Sequence, residues 1–365
     1  MNIILIILVF GVIIFFHELG HFIVAKMNHI TVKEFSMGLG PKLFSFNKKE
    51  TQYSLRLIPL GGYCMMLSED EEENENDENS FDKKSIWARM AVVLAGPFMN
   101  IVIAFIFSVV IIHFCGTDPA TIGRVYSDEL AQESDYADIA KEFGGDYPAA
   151  KSGIQDGDTV LKIGGSSIKN FRELQIYLEI YGDGSPIDLT LKRTDGEVYD
   201  TTVYPVKTSA GYKIGIISSG YKLPENFGEL MKYSAYEVRY WVKATFLSLK
   251  LIVTRQVSSD QVSGPVGVAK SMNDTFNEAA KVDVFTVLLN WMNYIVLMSA
   301  NIGIMNMLPI PGLDGGRFLF LLIELITRRK VPKDKENIVT VIGFVLVMIL
   351  MVVLLFNDIK NVFFS

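Results

Sequence analysis

The sequence predicts a multi-pass α-helical membrane protein: about four transmembrane helices, a membrane-associated β-hairpin region and one inserted extracytoplasmic α+β domain. Three observations predict it. Half of the 365 residues are hydrophobic and the mean hydropathy is positive, too apolar for a soluble chain of this length. Four apolar runs, approximately 3–25, 90–114, 284–308 and 337–357, have the length that a bilayer core demands. Between the second and third runs, residues 115–283 carry strand and turn signals instead.

The first span begins with IILIILVFGVIIFF (3–16), which contains no polar side chain. It has no basic n-region and no small-residue cleavage pattern, so it is expected to stay attached as a helix. In residues 30–66, the stretches TVKEFSMGLG, KLFSFN and TQYSLRLIPLGGYC read as short strands, with alternation in YSLRLIPL and a stop at Gly61-Gly62. Their apolar residues suggest a hairpin dipping into the membrane face, where protein or a water-filled cavity must shelter its backbone. Residues 68–82 then hold nine Asp and Glu and no Lys or Arg, which leaves +2 on the rest of a chain whose net charge is −7. This run reads as a disordered, solvated loop. After the second span, 115–210 reads as the inserted domain. It has a strand at TVLKIGG (159–165), a helix at NFRELQIYLEIY (170–181) and a strand pair around Thr194-Asp195-Gly196. Residues 211–283 read as a linker whose 225–255 portion is an amphipathic helix suited to a membrane surface. In the C-terminal part, 284–365, a Pro- and Gly-rich interruption follows the third span, and Phe318–Ile326 is too short to cross alone.

Orientation follows from basic residues. Nine Lys and Arg lie between spans one and two and six between spans three and four, so both segments are expected to be cytoplasmic. Both termini and 115–283 then lie outside. The two cysteines, Cys64 and Cys115, are too few and too far apart for a disulfide framework or a thiolate metal site.

The chemistry sits where lipid is expected. His17-Glu18-Leu19-Gly20-His21 fits H-E-x-x-H. On a helix, positions i and i+4 share a face, so both imidazoles can hold one zinc ion while Glu18 takes a proton from water. Ionisable groups inside a span cost at least ~2–3 kcal/mol each, which marks them as functional. Hydrolytic zinc takes three protein ligands. His29 lies beyond the span and His113 at the far end of span two, whereas Asp314 follows the break at Pro309 and Pro311 in NMLPIPGLDGG (306–316). Spans one and three both run inward, so Asp314 and the histidines come to similar depth. Taken without the zinc motif, Asp314 would read as a helix cap. Asn306 can donate to a developing oxyanion or hold the substrate backbone, or equally satisfy carbonyls freed by Pro309. Gly96-Pro97-Phe98-Met99-Asn100 reads as a helix break whose Asn100 packs against the first span.

HELGH in the first span, GPFMN in the second and LDGG after the third resemble the site-2 protease family of intramembrane zinc metalloproteases. GLGP (38–41), YSLRLIPLGGY (53–63), YPAAKSGIQDGDTVLKIGG (147–165) and SGPVGVAK (263–270) extend the resemblance over nearly the whole chain. It is closest to the bacterial branch acting on anti-sigma factors and signal-peptide remnants. The resemblance implies one catalytic zinc ion on His17, His21 and Asp314, with Glu18 as catalytic glutamate and Asn306 as the motif asparagine. It also implies one PDZ-like domain over 120–207, where proteobacterial relatives carry two. The acidic insert 68–82 and Met65, where relatives often have a basic residue, are further departures. Tyr53, Ser54, Leu55, Arg56 and Leu57 are the candidates for holding an unwound substrate by strand addition.

The expected partners are single-span membrane proteins, peptide termini at the PDZ-like domain and the bilayer of a bacterial cell membrane, with no nucleic acid. Two other readings use the same residues. One is a metal-dependent membrane transporter or scaffold with a peptide-binding domain, which would not need Glu18. The other is a membrane zincin taking its third ligand from Glu324, which lacks the flanking pattern.

Overall fold

The computed structural model describes residues 2–67, 77–134, 136–254 and 264–363. The first nine residues of the acidic run (68–76) and Ser263 of SGPVGVAK therefore lie outside the described residues. The chain divides into two units, Met1–Ser108 with Trp241–Ser365, and Val109–Tyr240.

The first unit opens with α1 (Asn2–Met27), followed by β1 (Val32–Lys48), β2 (Thr51–Met66) and α2 (Ile86–Cys115). β1 and β2 are two long strands, where three short ones were expected from the sequence. Each doubles back on itself. Residues 51–56 of β2 pair with 42–48 of β1 on one side and, over 52–55, with 34–37 of β1 on the other; 34–37 pair in turn with 62–65. Gly38 and Gly40, with φ of +88° and +83°, make the bend in β1 that the doubling requires. A single hairpin thus yields four rungs, the outer two pairings antiparallel and the middle one (34–37 with 52–55) parallel in register, with 42–48 and 62–66 on the outer edges.

The second unit contains β3 (Ile122–Val125), the short helices α3 (Ala137–Glu142) and α4 (Pro148–Lys151), β4 (Thr159–Ile163), β5 (Ser166–Ser167) and α5 (Phe171–Tyr181). It continues with β6 (Ile187–Lys192), β7 (Val198–Val203), β8 (Val206–Thr208), β9 (Gly211–Lys213) and β10 (Ile216–Ser218). The strands form a sheet of order β5-β4-β6-β7 and the separate pairs β3–β10 and β8–β9. Alternate residues of β6, Ile187, Leu189 and Leu191, turn inward with Val160, Ile163 and Val203 against Phe171, Leu174 and Leu178 of α5. Asn170 starts α5 as its N-cap, its side-chain oxygen accepting the Glu173 N–H at 2.9 Å. Residues 211–218, read from the sequence as linker, supply β9 and β10, because Ile216 and Ile217 pair with Val125 and Arg124.

The chain then forms α6 (Phe227–Val253), α7 (Pro265–Val282), α8 (Val284–Asn306), α9 (Asp314–Thr327) and α10 (Lys333–Phe363). Among the described residues, four helices are long and apolar enough to cross a membrane: Asn2–Met27, Ile86–Cys115, Val284–Asn306 and Asp334–Lys360. Val9 and Ile13 of α1, Ile103 of α2, Met272 and Phe276 of α7 and Ile295 of α8 make one buried cluster. α7 is the element the sequence reading did not contain. Its Lys, Asp and Asn residues hide a narrow stripe, Met272, Phe276 and Ala279, at helical spacing. Replacing Asn170 with alanine is expected to destabilise the second unit by about 1 kcal/mol. Hydrogen exchange in the first turn of α5 should quicken accordingly; unchanged exchange there would remove the cap from the account.

Candidate active site

His17 and His21 lie one turn apart on α1, both buried, and a helix places positions i and i+4 side by side. Their Nε2 atoms are 3.2 Å apart. Asp314 reaches them from the start of α9. Pro309 and Pro311 prevent α8 from continuing past Asn306, the chain turns at Gly312, and a new helix begins at Asp314 itself. Asp314 Oδ2 stands 3.0 Å from His17 Nε2 and 3.5 Å from His21 Nε2. The three residues offer ligand atoms all within 4.8 Å of one another. Ligand bonds of about 2.0–2.1 Å in a tetrahedral zinc site place ligand atoms about 3.3 Å apart, so the observed separations fit a single ion with a fourth position left open.

Helix α2 provides the backing for this cluster through residues at steps of three and four. The Val92 carbonyl accepts from His21 Nδ1 at 2.8 Å. The Asn100 side-chain amide lies 3.2 Å from His17 Nδ1. Between them is Gly96, where an added Cβ would stand 2.3 Å from His21 Nε2 and 2.8 Å from His17 Cε1. The same crossing admits no side chain on α1 at Gly20, where a Cβ would meet the Ala95 carbonyl oxygen at 2.3 Å. Pro97 sits inside α2 without ending it, so the break expected at GPFMN is absent. At the start of this face, Arg89 forms a bidentate pair with Glu324 of α9, at 3.0 and 2.6 Å. Glu324 is thereby committed to Arg89 and stands outside the metal-ligand cluster. The sequence marked GPFMN for packing against the first span, but nothing there showed that Val92 and Asn100 present polar groups to the two imidazoles.

The cluster opens on a cavity of about 730 Å³ lined by His17, Glu18, His21 and Asp314 together with Tyr63–Leu67 of the hairpin and Arg317. Glu18 accepts a hydrogen bond from the Cys64 backbone N–H. Burial, and then the Glu18 charge, push the Cys64 thiol up to about 12, so it lines the wall as a neutral group. Asn306 ends α8 with Nδ2 3.5 Å from His17 Nε2. His29 occupies a left-handed turn position after α1, and His113 lies in the last turn of α2; neither joins the cluster.

The five hairpin candidates are placed differently. None of Tyr53, Ser54, Leu55, Arg56 and Leu57 lines the cavity. Tyr53 stacks on Phe46 and meets Phe22 and Phe35. Leu55 and Leu57 are exposed. Ser54 donates to the buried Glu34, and Arg56 reaches Glu34 Oε1 at 2.9 Å, Ser36 Oγ at 3.0 Å, the Gly40 carbonyl at 2.7 Å and the Tyr63 hydroxyl. Burial opposes ionisation of Glu34, but hydrogen bonds from Ser54, Arg56 and Tyr63 outweigh it and hold the carboxyl at about 2.

A family model described as peptidase family M50 matches residues 5–350. The chain belongs to peptidase family M50. A protein of Clostridium acetobutylicum named as a candidate zinc metalloprotease is 36% identical over 360 residues, covering 98% of this chain and 97% of its own length. The Zinc metalloprotease RasP of Geobacillus kaustophilus is 29% identical, covering 99% of this chain and 98% of its own length. The Regulator of sigma-W protease RasP of Bacillus subtilis is 29% identical, covering 98% of both. As a member of this family the chain is a zinc metalloprotease with Zn2+ as its cofactor.

Gly96→Ala is expected to displace both imidazoles and weaken zinc binding on the order of 10–100-fold, although alanine is the better helix former by about 1 kcal/mol. Metal content after dialysis against a weak chelator checks this, and full retention of zinc would refute it. Acid should loosen the hairpin through Glu34. Its folded pKa of about 2 lies below the ordinary 4.5, so the cluster's contribution is complete above that pH and is lost as pH falls toward 2. Amide exchange in β1 and β2 should accelerate over this window, and Glu34→Gln should remove the dependence.

Proposed function

We propose that this metalloprotease cuts peptide bonds within the membrane, in the transmembrane segments of single-span proteins, commonly after a first extracytoplasmic cut has removed their outer domains. The observation that carries the proposal is the His17–His21–Asp314 cluster, which combines two buried imidazoles on a membrane-length helix with a carboxylate on α9. The name of the Bacillus subtilis relative, a regulator of sigma-W protease, supports anti-sigma-factor-type regulators as the substrate class, and signal-peptide remnants present the same single span. The basic residues flanking the spans support an active site toward the cytoplasm, with both termini and the 115–283 segment outside.

Zinc held by His17, His21 and Asp314 would supply Lewis acidity for the scissile carbonyl and make water acidic enough to lose a proton near neutral pH. Glu18 takes that proton as the new C–O bond forms and returns it to the leaving amine as the C–N bond breaks. Asn306 Nδ2, beside the cluster, donates to the oxygen on which charge develops.

A helical substrate must unwind before its carbonyl can be attacked, and its freed backbone then needs partners inside an apolar setting. The sequence suggested 53–57 for this role. Within the sheet, 52–55 are already paired on both sides, so their backbone has nothing left to offer a further strand. The outer rung 62–66 supports the role better, because Tyr63–Met66 line the cavity. The Cys64 N–H faces α1 at Glu18, while the Leu67 N–H turns back to Thr31 O at 2.8 Å. Strand alternation therefore puts the Met66 N–H on the Cys64 side. The Val109–Tyr240 unit, with α5 packed on its sheet, suits a PDZ-like domain that receives peptide termini.

Glu18→Gln is expected to retain zinc and to lose cleavage by about 100-fold or more, the scale of general acid–base catalysis. A variant that cleaves normally would sink the assignment of Glu18 as the general base. Met66→Pro is expected to keep zinc yet cut a transmembrane substrate slowly; normal cleavage would move strand addition elsewhere.

A further inference from the structure

We propose that Asn100 is the positioning residue that fixes the tautomer of His17, accepting the His17 Nδ1–H through its side-chain oxygen, so that Nε2 is presented to zinc. Asn100 is fully buried, and its Oδ1 is one of three buried side-chain polar atoms without a hydrogen-bond partner among the described residues. Buried amides rarely leave an oxygen unmatched. The other end of the amide faces His17 Nδ1 at 3.2 Å.

The metal-facing atom of His17 is Nε2, since that atom approaches both Asp314 Oδ2 and His21 Nε2. A neutral imidazole whose Nε2 lone pair binds a metal carries its proton on Nδ1. An N–H cannot share a hydrogen bond with an NH2 group, so the group opposite Nδ1 must then be an acceptor. The two ends of a carboxamide have the same shape, and exchanging them leaves the packing intact. After the exchange, the oxygen that lacked a donor gains one at the same 3.2 Å separation. Metal binding and the Asn100 orientation are thus linked.

His21 shows the same arrangement with a fixed acceptor. Its Nδ1 meets the Val92 carbonyl at 2.8 Å, and a backbone carbonyl can only accept. Val92 and Asn100 are eight residues apart on α2, so both acceptors lie on one face of one helix. α8 holds Asn100 from the other side. Ser299 Oγ donates to the Asn100 backbone carbonyl at 3.0 Å, and a Cβ placed on Gly303 would lie 3.3 Å from the Asn100 Cβ.

The test uses the full-length protein in detergent, in the Glu18→Gln background so that turnover plays no part, with zinc as the probe. Zinc affinity is measured by competition with a chromophoric chelator, and the ligand field by the visible spectrum of the Co2+-substituted protein. Asn100→Leu, which keeps the volume and removes the acceptor, is expected to weaken zinc binding about 10–100-fold and to alter the cobalt spectrum, with the metal-free melting temperature unchanged. Asn100→Asp keeps an acceptor at the same place and is expected to restore affinity to within about threefold of the asparagine protein, as carboxylate acceptors serve zinc-bound histidines elsewhere. Asn100→Leu binding zinc as tightly as the parent would overturn the proposal. So would Asn100→Asp losing affinity about tenfold, because the amide would then be acting as a donor. If the leucine variant does not fold, the aspartate variant alone decides.

Discussion

Two imidazoles and two carboxylates have to be kept inside apolar helices, and their local surroundings cannot solvate them. The solution is a backbone crossing. α1 and α2 approach at Gly20 and Gly96 so closely that neither position has room for a Cβ. That proximity brings a carbonyl of α2 to His21 and an amide of α2 to His17. Every buried ring nitrogen of the pair then has a partner, with Nδ1 turned to α2 and Nε2 turned to Asp314. With side chains at the crossing, the helices would separate and the histidines would lose these partners.

The candidate carboxylate ligand depends on the same helix by a second route. Asp314 is the first residue of α9, and α9 is fastened to α2 near its other end by the Arg89–Glu324 pair, whose side chains are only 8% and 16% exposed. Breaking a buried pair of this kind costs about 3–5 kcal/mol because one charge is left unmatched. The pair therefore fixes where α9 lies, and the Pro309–Gly312 turn fixes where it starts. α2 contributes no predicted ligand, yet it orients all three.

The hairpin shows a comparable division of labour. Its polar residues Glu34, Ser54 and Arg56 are used internally, holding a doubled-back sheet together. Its outer rung touches α1 at Glu18 and lines the cavity. A strand with both neighbours in place offers specificity only through side chains, whereas an edge strand still has backbone groups to offer. This difference decides which part of the hairpin can meet a substrate.

Much of the molecule was legible in its residues. Hydropathy located the four membrane-length apolar helices to within a few residues, because a bilayer demands length and apolarity and little else. Asn170 marked the start of α5, since a cap is a local bond. HELGH offered two candidate metal ligands through helical spacing alone, and LDGG a third by its improbable carboxylate; the structure brings the three together. By contrast, α7 escaped notice because its buried stripe is narrow and its polar residues many. Arg56 and its neighbours looked available for substrate because strand order cannot be read from alternation. Asn100 was read as a packing residue against the first span, because sequence does not show which side-chain atom faces which ring nitrogen. The sequence by itself determined the elements and the chemical groups, which depend on neighbours a few positions away. The tertiary structure alone decided which rung is an edge, which charges pair and which acceptors face the histidines, since those depend on contacts between residues separated by tens to hundreds of positions.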